Sequence, residues 1–148
     1  SFGAVAIEVE VDEVTGQTRA VEAWSAIDVG RAINPRLVEV QIEGGLVQGL
    51  GFALYEEMVW DGPRLVNPSL MDYKIPTSAD TPPIHSIVIE DPEPSGPFGA
   101  KGAGEIGLNP VPAAIANALA QAVGGVSHAI PLTPERVLAR LEGDGDAP

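Results

Sequence analysis

Four glycines, Gly44, Gly45, Gly49 and Gly51, stand inside a stretch that otherwise carries every mark of a long helix. Asn34-Pro35 opens it, an N-cap residue followed by proline at the first helical position. The spacing predicts a helix from about Pro35 to Glu57, with Leu37, Val38, Ile42, Leu46, Leu50 and Leu54 on a core-facing stripe. Each glycine in a helix interior costs on the order of 0.5–1 kcal/mol relative to alanine, so something must approach this helix closely. Gln41, Gly44, Gly45 and Gln48 fall at i, i+3, i+4 and i+7 and therefore share one face. A second helix packed on the glycines and a bulky polar ligand lying on the stripe both satisfy the pattern. Two glutamine amides flanking a glycine pair favour the ligand, because each amide offers donors and an acceptor.

The demand for space recurs downstream. Five of the fifteen residues from Gly96 to Pro110 are glycine, and one, Glu105, is acidic. Asn109-Pro110 then opens a helical pattern to about Val123, with Val111, Ile115, Leu119 and Ala122 on its core face and Gly124-Gly125 as C-cap. A glycine loop that presents one carboxylate beside a helix N-terminus suggests a site. Gly102-Ala103-Gly104-Glu105-Ile106-Gly107 fits the string G-x-G-x-x-G, but a dinucleotide site needs a strand just before it and an acidic residue roughly 20 positions later. Residues 91–98 are proline-rich, and the next acidic residue after Glu105 is Glu135. A phosphate-binding P-loop fails as well, since Lys101 stands between Ala100 and Gly102 with no Ser or Thr after it.

The remaining elements follow from periodicity and punctuation. Val5, Ile7, Val9 and Val11 alternate along residues 4–11. After a turn around Gly16, residues 18–29 alternate Val21, Ile27 and Val29 against Glu22, Trp24 and Asp28, which predicts an antiparallel hairpin. Residues 58–66 read as two short strands broken by Asp61-Gly62-Pro63. Pro68, Pro76, Pro82 and Pro83 make 67–83 a long irregular loop, a type that is often functional. Residues 84–90 return to strand, apolar on both faces and so expected to be well covered. His85 is expected to be a structural or surface histidine. Thr133-Pro134 starts a third, short helix with Val137, Leu138 and Leu141, and a polar tail, expected to be disordered, fills 143–148. The expected fold is one α+β domain over 1–142, antiparallel β-hairpins and sheet packed against two longer helices and a short C-terminal helix.

Charge and composition remove several classes of function. Lys and Arg number 8 against 21 Asp and Glu, a formal net charge of −13, which argues against nucleic acid and anionic membrane surfaces as partners. There is no cysteine, so disulfides, iron–sulfur clusters and thiolate zinc sites are excluded. His85 and His128 lack ligand spacing, and no protein-ligated metal is expected. No apolar run approaches the length of a membrane-spanning helix.

Three segments together resemble a known family: Gln41-Ile42-Glu43-Gly44-Gly45-Leu46-Val47-Gln48-Gly49-Leu50-Gly51, then Asn67-Pro68-Ser69-Leu70-Met71-Asp72-Tyr73-Lys74-Ile75-Pro76, then Gly99-Ala100-Lys101-Gly102-Ala103-Gly104-Glu105. In this order and rough spacing they are similar to the C-terminal part of the molybdopterin-binding large subunit of molybdenum hydroxylases, the xanthine dehydrogenase, aldehyde oxidase and carbon monoxide dehydrogenase family. The resemblance implies a molybdopterin cofactor, plain or as the cytosine dinucleotide, bound through Gln41, Ala103 and Gly104. It implies Glu105 as catalytic general base in the oxidative hydroxylation of an aldehyde or N-heterocycle, with water as the oxygen source. Gln48 and Lys101 share the motifs without an implied role. Iron–sulfur clusters and FAD are then expected on other domains or subunits, with the remainder of the molybdopterin-binding subunit and a small-molecule substrate as further partners. A homodimer is compatible with the resemblance, and a cytoplasmic location is expected. Ser1 runs almost directly into a strand, so the chain is read as a minor part of a longer subunit, inactive alone and exposing apolar surface where the remainder docks. The competing reading is a non-catalytic docking or scaffold module that kept the fold without turnover.

Overall fold

Strand β1 (Gly3–Val11) and strand β2 (Thr18–Asp28) form the antiparallel hairpin that alternation predicts. The computed structural model describes residues 1–125 and 128–143; beyond Gly143 the expected tail lies outside the described residues. Asp12 closes the hairpin turn by accepting from the amides of Val14 and Thr15 at 2.8 and 3.1 Å, and those amides, Val14 first, hold its carboxyl below the usual range. Within β2 the buried positions are Thr18 and Ala20, then Ala23, Ser25 and Ile27, with Asp28 buried at the strand end. The change of phase is a β-bulge: Glu8 pairs with Glu22 and Val9 with Ala20, leaving Val21 unpaired. Val21 therefore does not share the fully buried face of Ile27 and Val29, as simple alternation predicts.

Helix α1 (Pro35–Leu54) starts where expected, with the Asn34 side chain accepting from the Leu37 amide at 3.2 Å. Ile42, Leu46, Leu50 and Leu54 are buried along it, but Leu37 is 64% exposed because nothing among the described residues covers the first turn on that side. Strands β3 (Trp60–Asp61) and β4 (Arg64–Leu65) pair around Gly62-Pro63. The 67–83 loop is irregular but tied down: Asn67 donates to the Glu57 carbonyl and accepts from the Val59 amide, and the Tyr73 hydroxyl donates to Glu56 at 2.6 Å.

Strand β5 (Ile84–Ile89) corrects two expectations. It joins β2 in parallel, giving the order β1-β2-β5 and a mixed sheet rather than an antiparallel one. Parallel pairing needs a crossover, which residues 29–83 with α1 supply. Helices also cover only one face, so Ile87 and Ile89 remain 49% and 46% exposed instead of well covered. His85 finds a partner that sequence proximity conceals. Its Nε2 lies 2.7 Å from a Glu22 carboxylate oxygen and its ring stacks on Trp24, both from the neighbouring strand.

Helix α2 (Val111–Val123) packs on β1 and α1, and helix α3 (Pro134–Leu141) packs on α2. Val111, Ile115 and Leu119 are buried as expected, whereas Ala122 is exposed. Pro110 is the N-cap of α2 and supplies no side-chain cap, so Asn109 does not cap this helix as its position suggested. Leu46, Leu50, Ile115, Leu119 and Val137 belong to the main core. A second cluster of Ile27, Val29 and Ile42 takes Ala103 and Ile106 against it, and this cluster anchors the glycine loop. The α+β class stands.

Candidate functional site

The glycines of α1 divide into two kinds. A Cβ on Gly45 would lie 3.1 Å from the Leu108 amide nitrogen, and one on Gly49 would lie 2.5 Å from the Val111 side chain. These positions are glycine because the 107–111 segment passes directly against the helix. Gly107 returns the contact, its would-be Cβ meeting the Ile42 carbonyl at 3.2 Å. Gly44 differs: nothing stands within 4 Å of where its Cβ would be. The single face expected of Gln41, Gly44, Gly45 and Gln48 is thus split, with Gly45 buried and the other three exposed.

On that open side the Gln41 amide donates through Nε2 to the Gly104 carbonyl at 3.0 Å, joining helix and loop across 63 residues. Gln41, Ala103 and Gly104 line one cleft of about 310 Å³ together with Arg31, Leu37 and Lys101. Gly102 and Gly104 resemble Gly44, with no atom within 4 Å of where a Cβ would stand. Gly102 and Gly104 are therefore not required by packing among the described residues. Two other depressions, each about 410 Å³, lie between β1 and α2 and at the hairpin turn, and neither takes a residue from the three motif segments.

The loop is fixed to the sheet at its upstream end. Lys101 donates its amide to the Val29 carbonyl at 2.8 Å, and Arg31 donates its own to the Gly99 carbonyl at 2.9 Å. The Lys101 ammonium reaches Asp28 at 2.5 Å and Asp91 at 3.3 Å, with the Lys101 and Asp28 side chains only 12% and 9% exposed. The hydrogen bond from Lys101 is the main cause that holds the Asp28 carboxyl below its usual range, and Asp28 in turn raises Lys101. A depressed carboxyl contributes stability that is lost as pH falls through its folded value, and a raised amine contributes stability lost as pH rises through its own. The pair is therefore charged and intact across the whole neutral range.

The structure brings Gln41, Ala103 and Gly104 together and leaves Glu105 just outside. Glu105 is exposed, and among the described residues no hydrogen bond or ion pair reaches its carboxylate. The shielding from water that favours a general base is thus not provided by the described residues. Its carbonyl, by contrast, is fixed, accepting from the Leu108 and Asn109 amides at 3.0 and 3.2 Å. The Asn67–Pro76 segment lies elsewhere: Pro76 and Glu56 crowd Gly51, ten residues along α1 from Gln41 and so about 15 Å away along the axis. Sequence reasoning missed Asp28, which alternation assigned to the solvent face and which is buried by Lys101, and it missed Arg31. The signal for Asp28 was its place at a strand end beside Gly30. Among the described residues no group of three or more His, Cys, Asp or Glu could hold a metal ion, and no helix is long and apolar enough to cross a membrane.

The family model of the molybdopterin cofactor-binding domain matches residues 1–82. The chain is 40% identical over 147 residues to the gamma subunit of the 6-hydroxypseudooxynicotine dehydrogenase complex of Paenarthrobacter nicotinovorans, covering 96% of this chain and 18% of that protein. Its fold is similar to quinoline 2-oxidoreductase from Pseudomonas putida 86, with a TM-score of 0.85 at 39% identity over 90% of this chain and 18% of that one. It is similar again to the aldehyde oxidoreductase of Desulfovibrio gigas, with a TM-score of 0.86 at 36% identity over 95% of this chain and 15% of that one. The chain thus spans less than a fifth of the length of each of these relatives.

Proposed function

The chain belongs to the molybdopterin cofactor-binding family of molybdenum hydroxylases, and on that premise we propose that it forms part of an oxidoreductase catalytic subunit, binding molybdopterin in the Gln41 cleft with Glu105 as general base. The observation that carries this reading is the convergence at the cleft. The Gln41 amide holds the Gly104 carbonyl, Gly104 in the cleft wall leaves empty space above its α-carbon, and so do Gly44, one turn from Gln41, and Gly102, two residues before Gly104. A helix glycine such as Gly44 costs on the order of 0.5–1 kcal/mol relative to alanine, and no contact among the described residues explains it. Room for an external group does explain it.

These residues fit a pterin, plain or as its cytosine dinucleotide. With one N–H committed to Gly104, Gln41 keeps a carbonyl oxygen and a second N–H for the donors and acceptors of a flat heterocycle. The Ala103-Gly104 backbone, without bulky side chains, forms the facing wall. The bound cofactor supplies molybdenum redox chemistry, with water as the source of the inserted oxygen. Glu105 follows the carbonyl that Gln41 fixes, and its carboxylate oxygen takes the proton from the water-derived nucleophile. A base of this kind works best when shielded from bulk water. Because Glu105 is exposed here, the cover must come from cofactor, substrate and the remainder of the subunit.

The substrate class that fits is an electron-poor carbon of an aldehyde or N-heterocycle, in keeping with relatives named for quinoline and aldehyde. A chain without cysteine cannot ligate iron–sulfur clusters, so electrons leave through other domains or subunits. Exposed Phe2, Leu37, Leu70, Met71 and Phe98 suit contact with that remainder.

Gln41→Ala in the complete protein tests the cofactor assignment. Loss of one amide contact worth about 1.4 kcal/mol should weaken cofactor retention about tenfold. Molybdenum and pterin per polypeptide should fall together, while the cofactor-free protein loses no more than about 0.5–1.5 kcal/mol of stability, the worth of the Gln41–Gly104 hydrogen bond. Full retention of both would contradict a binding role for Gln41.

A further inference from the structure

Lys101 belongs to the loop motif, yet its charge takes no part in the chemistry of the cleft. Its ammonium is turned away from open solvent and shared between Asp28 at the end of β2 and Asp91 after β5, 73 and 10 residues away. Asp28 is used on both oxygens, since Oδ1 accepts from the Gly30 amide at 2.9 Å while Oδ2 takes Lys101. Around this pair the chain is packed backbone to backbone. The Gly99 carbonyl accepts from both Arg31 and Glu93, at 2.9 and 3.0 Å, and the Lys101 amide donates to Val29 at 2.8 Å. Gly30 sits at φ +66°, and a Cβ there would lie 2.4 Å from the Gly99 carbonyl oxygen. Three separate segments therefore meet at one buried charge.

We propose that Lys101 is a positioning residue whose ion pair with Asp28 fixes the upstream end of the 101–105 loop and thereby sets where Glu105 stands. The inference rests on the reading of Glu105 as the base. Between Lys101 and Glu105 the loop has three further anchors, the Gly102 carbonyl accepting from the Ser1 hydroxyl at 2.6 Å, Ala103 against Ile27, Val29 and Ile42, and the Gly104 carbonyl held by Gln41. Those anchors fix the loop's depth. Lys101 fixes its entry from the sheet, and without it Asp28 keeps a carboxylate that is 9% exposed and has lost its ammonium partner. Such a charge draws in water or turns outward, and either response opens the 28–31 to 99–101 contact. Although Lys101 lines the cleft, its ammonium already faces two carboxylates, so its role is to hold the wall rather than to bind the cofactor.

The test uses the complete cofactor-loaded protein, comparing Lys101→Met, Lys101→Arg, Asp28→Asn and the parent. Lys101→Met should speed amide hydrogen exchange at Gly30, Arg31 and Lys101 by about tenfold or more. It should lower kcat by about 100-fold, the scale expected of a base displaced by about 1 Å. KM should stay within about twofold, and molybdenum content should match the parent. Asp28→Asn should reproduce that pattern, and Lys101→Arg should restore part of both exchange protection and kcat. Unchanged exchange at the three amides overturns the proposal. So does faster exchange with full kcat, and so does a loss of molybdenum with unchanged turnover per bound metal. Glu105→Gln, run alongside, separates the two readings. If it retains turnover, the base assignment fails, while the exchange data still decide whether Lys101 fixes the loop.

Discussion

Glu105→Gln in the complete protein should lower hydroxylation turnover by about 10²–10⁴-fold, the range for loss of a general base, with molybdenum and pterin content near those of the parent. The expectation of a clean loss comes from the surroundings of the side chain. Among the described residues its carboxylate takes part in no hydrogen bond or ion pair, so the isosteric amide removes basicity without removing a structural contact. The loop is held through the backbone, by the Glu105 carbonyl accepting from Leu108 and Asn109 and by Gln41 on Gly104. None of these contacts involves the substituted atoms. Turnover within a few-fold of the parent would end the catalytic assignment and favour a scaffold that kept the fold alone.

The second large effect is expected at Gly30. Gly30→Ala places a side chain at φ +66°, where non-glycine residues are strained, and directs its Cβ to within 2.4 Å of the Gly99 carbonyl oxygen and 2.8 Å of the Lys101 nitrogen. The positive φ alone is worth about 1–3 kcal/mol. Both of these neighbours are backbone atoms and cannot rotate away, so the 99–101 segment must shift. Native-state exchange in the complete protein should show the amides of Arg31 and Lys101 opening more easily by at least that amount. Parent-like protection at both amides would mean that the close approach seen at Gly30 is not maintained.

Much of the fold was legible because it is governed by local rules. Alternation over 4–11 marks β1, and Asn34-Pro35 and Thr133-Pro134 mark the starts of α1 and α3, with both caps making their hydrogen bonds. What periodicity could not show depends on contacts distant in sequence. The bulge at Val21 changes the phase of β2, and β5 lies parallel because the chain returns through α1 before pairing. The same division runs through the site. Gln41, Ala103, Gly104 and Glu105 were reached from helix spacing, the glycine loop and a family resemblance, and the first three share a cleft. Asp28 and its bond to Lys101 were hidden, because a carboxylate in an alternating strand reads as a solvent-facing residue until the loop folds over it. The exposure of Glu105 was hidden too. A glycine loop shows that space is needed, but whether anything encloses Glu105 depends on what packs on top.

The most direct measurement is an experimental structure of the complete protein with its cofactor bound. The pterin should lie on the cleft between α1 and the 100–104 loop, within hydrogen-bond distance of the Gln41 amide and against the Ala103-Gly104 backbone, with the open sides of the nearby glycines facing it. A pterin held entirely by other segments, with this cleft filled by the protein's own side chains, would contradict the account.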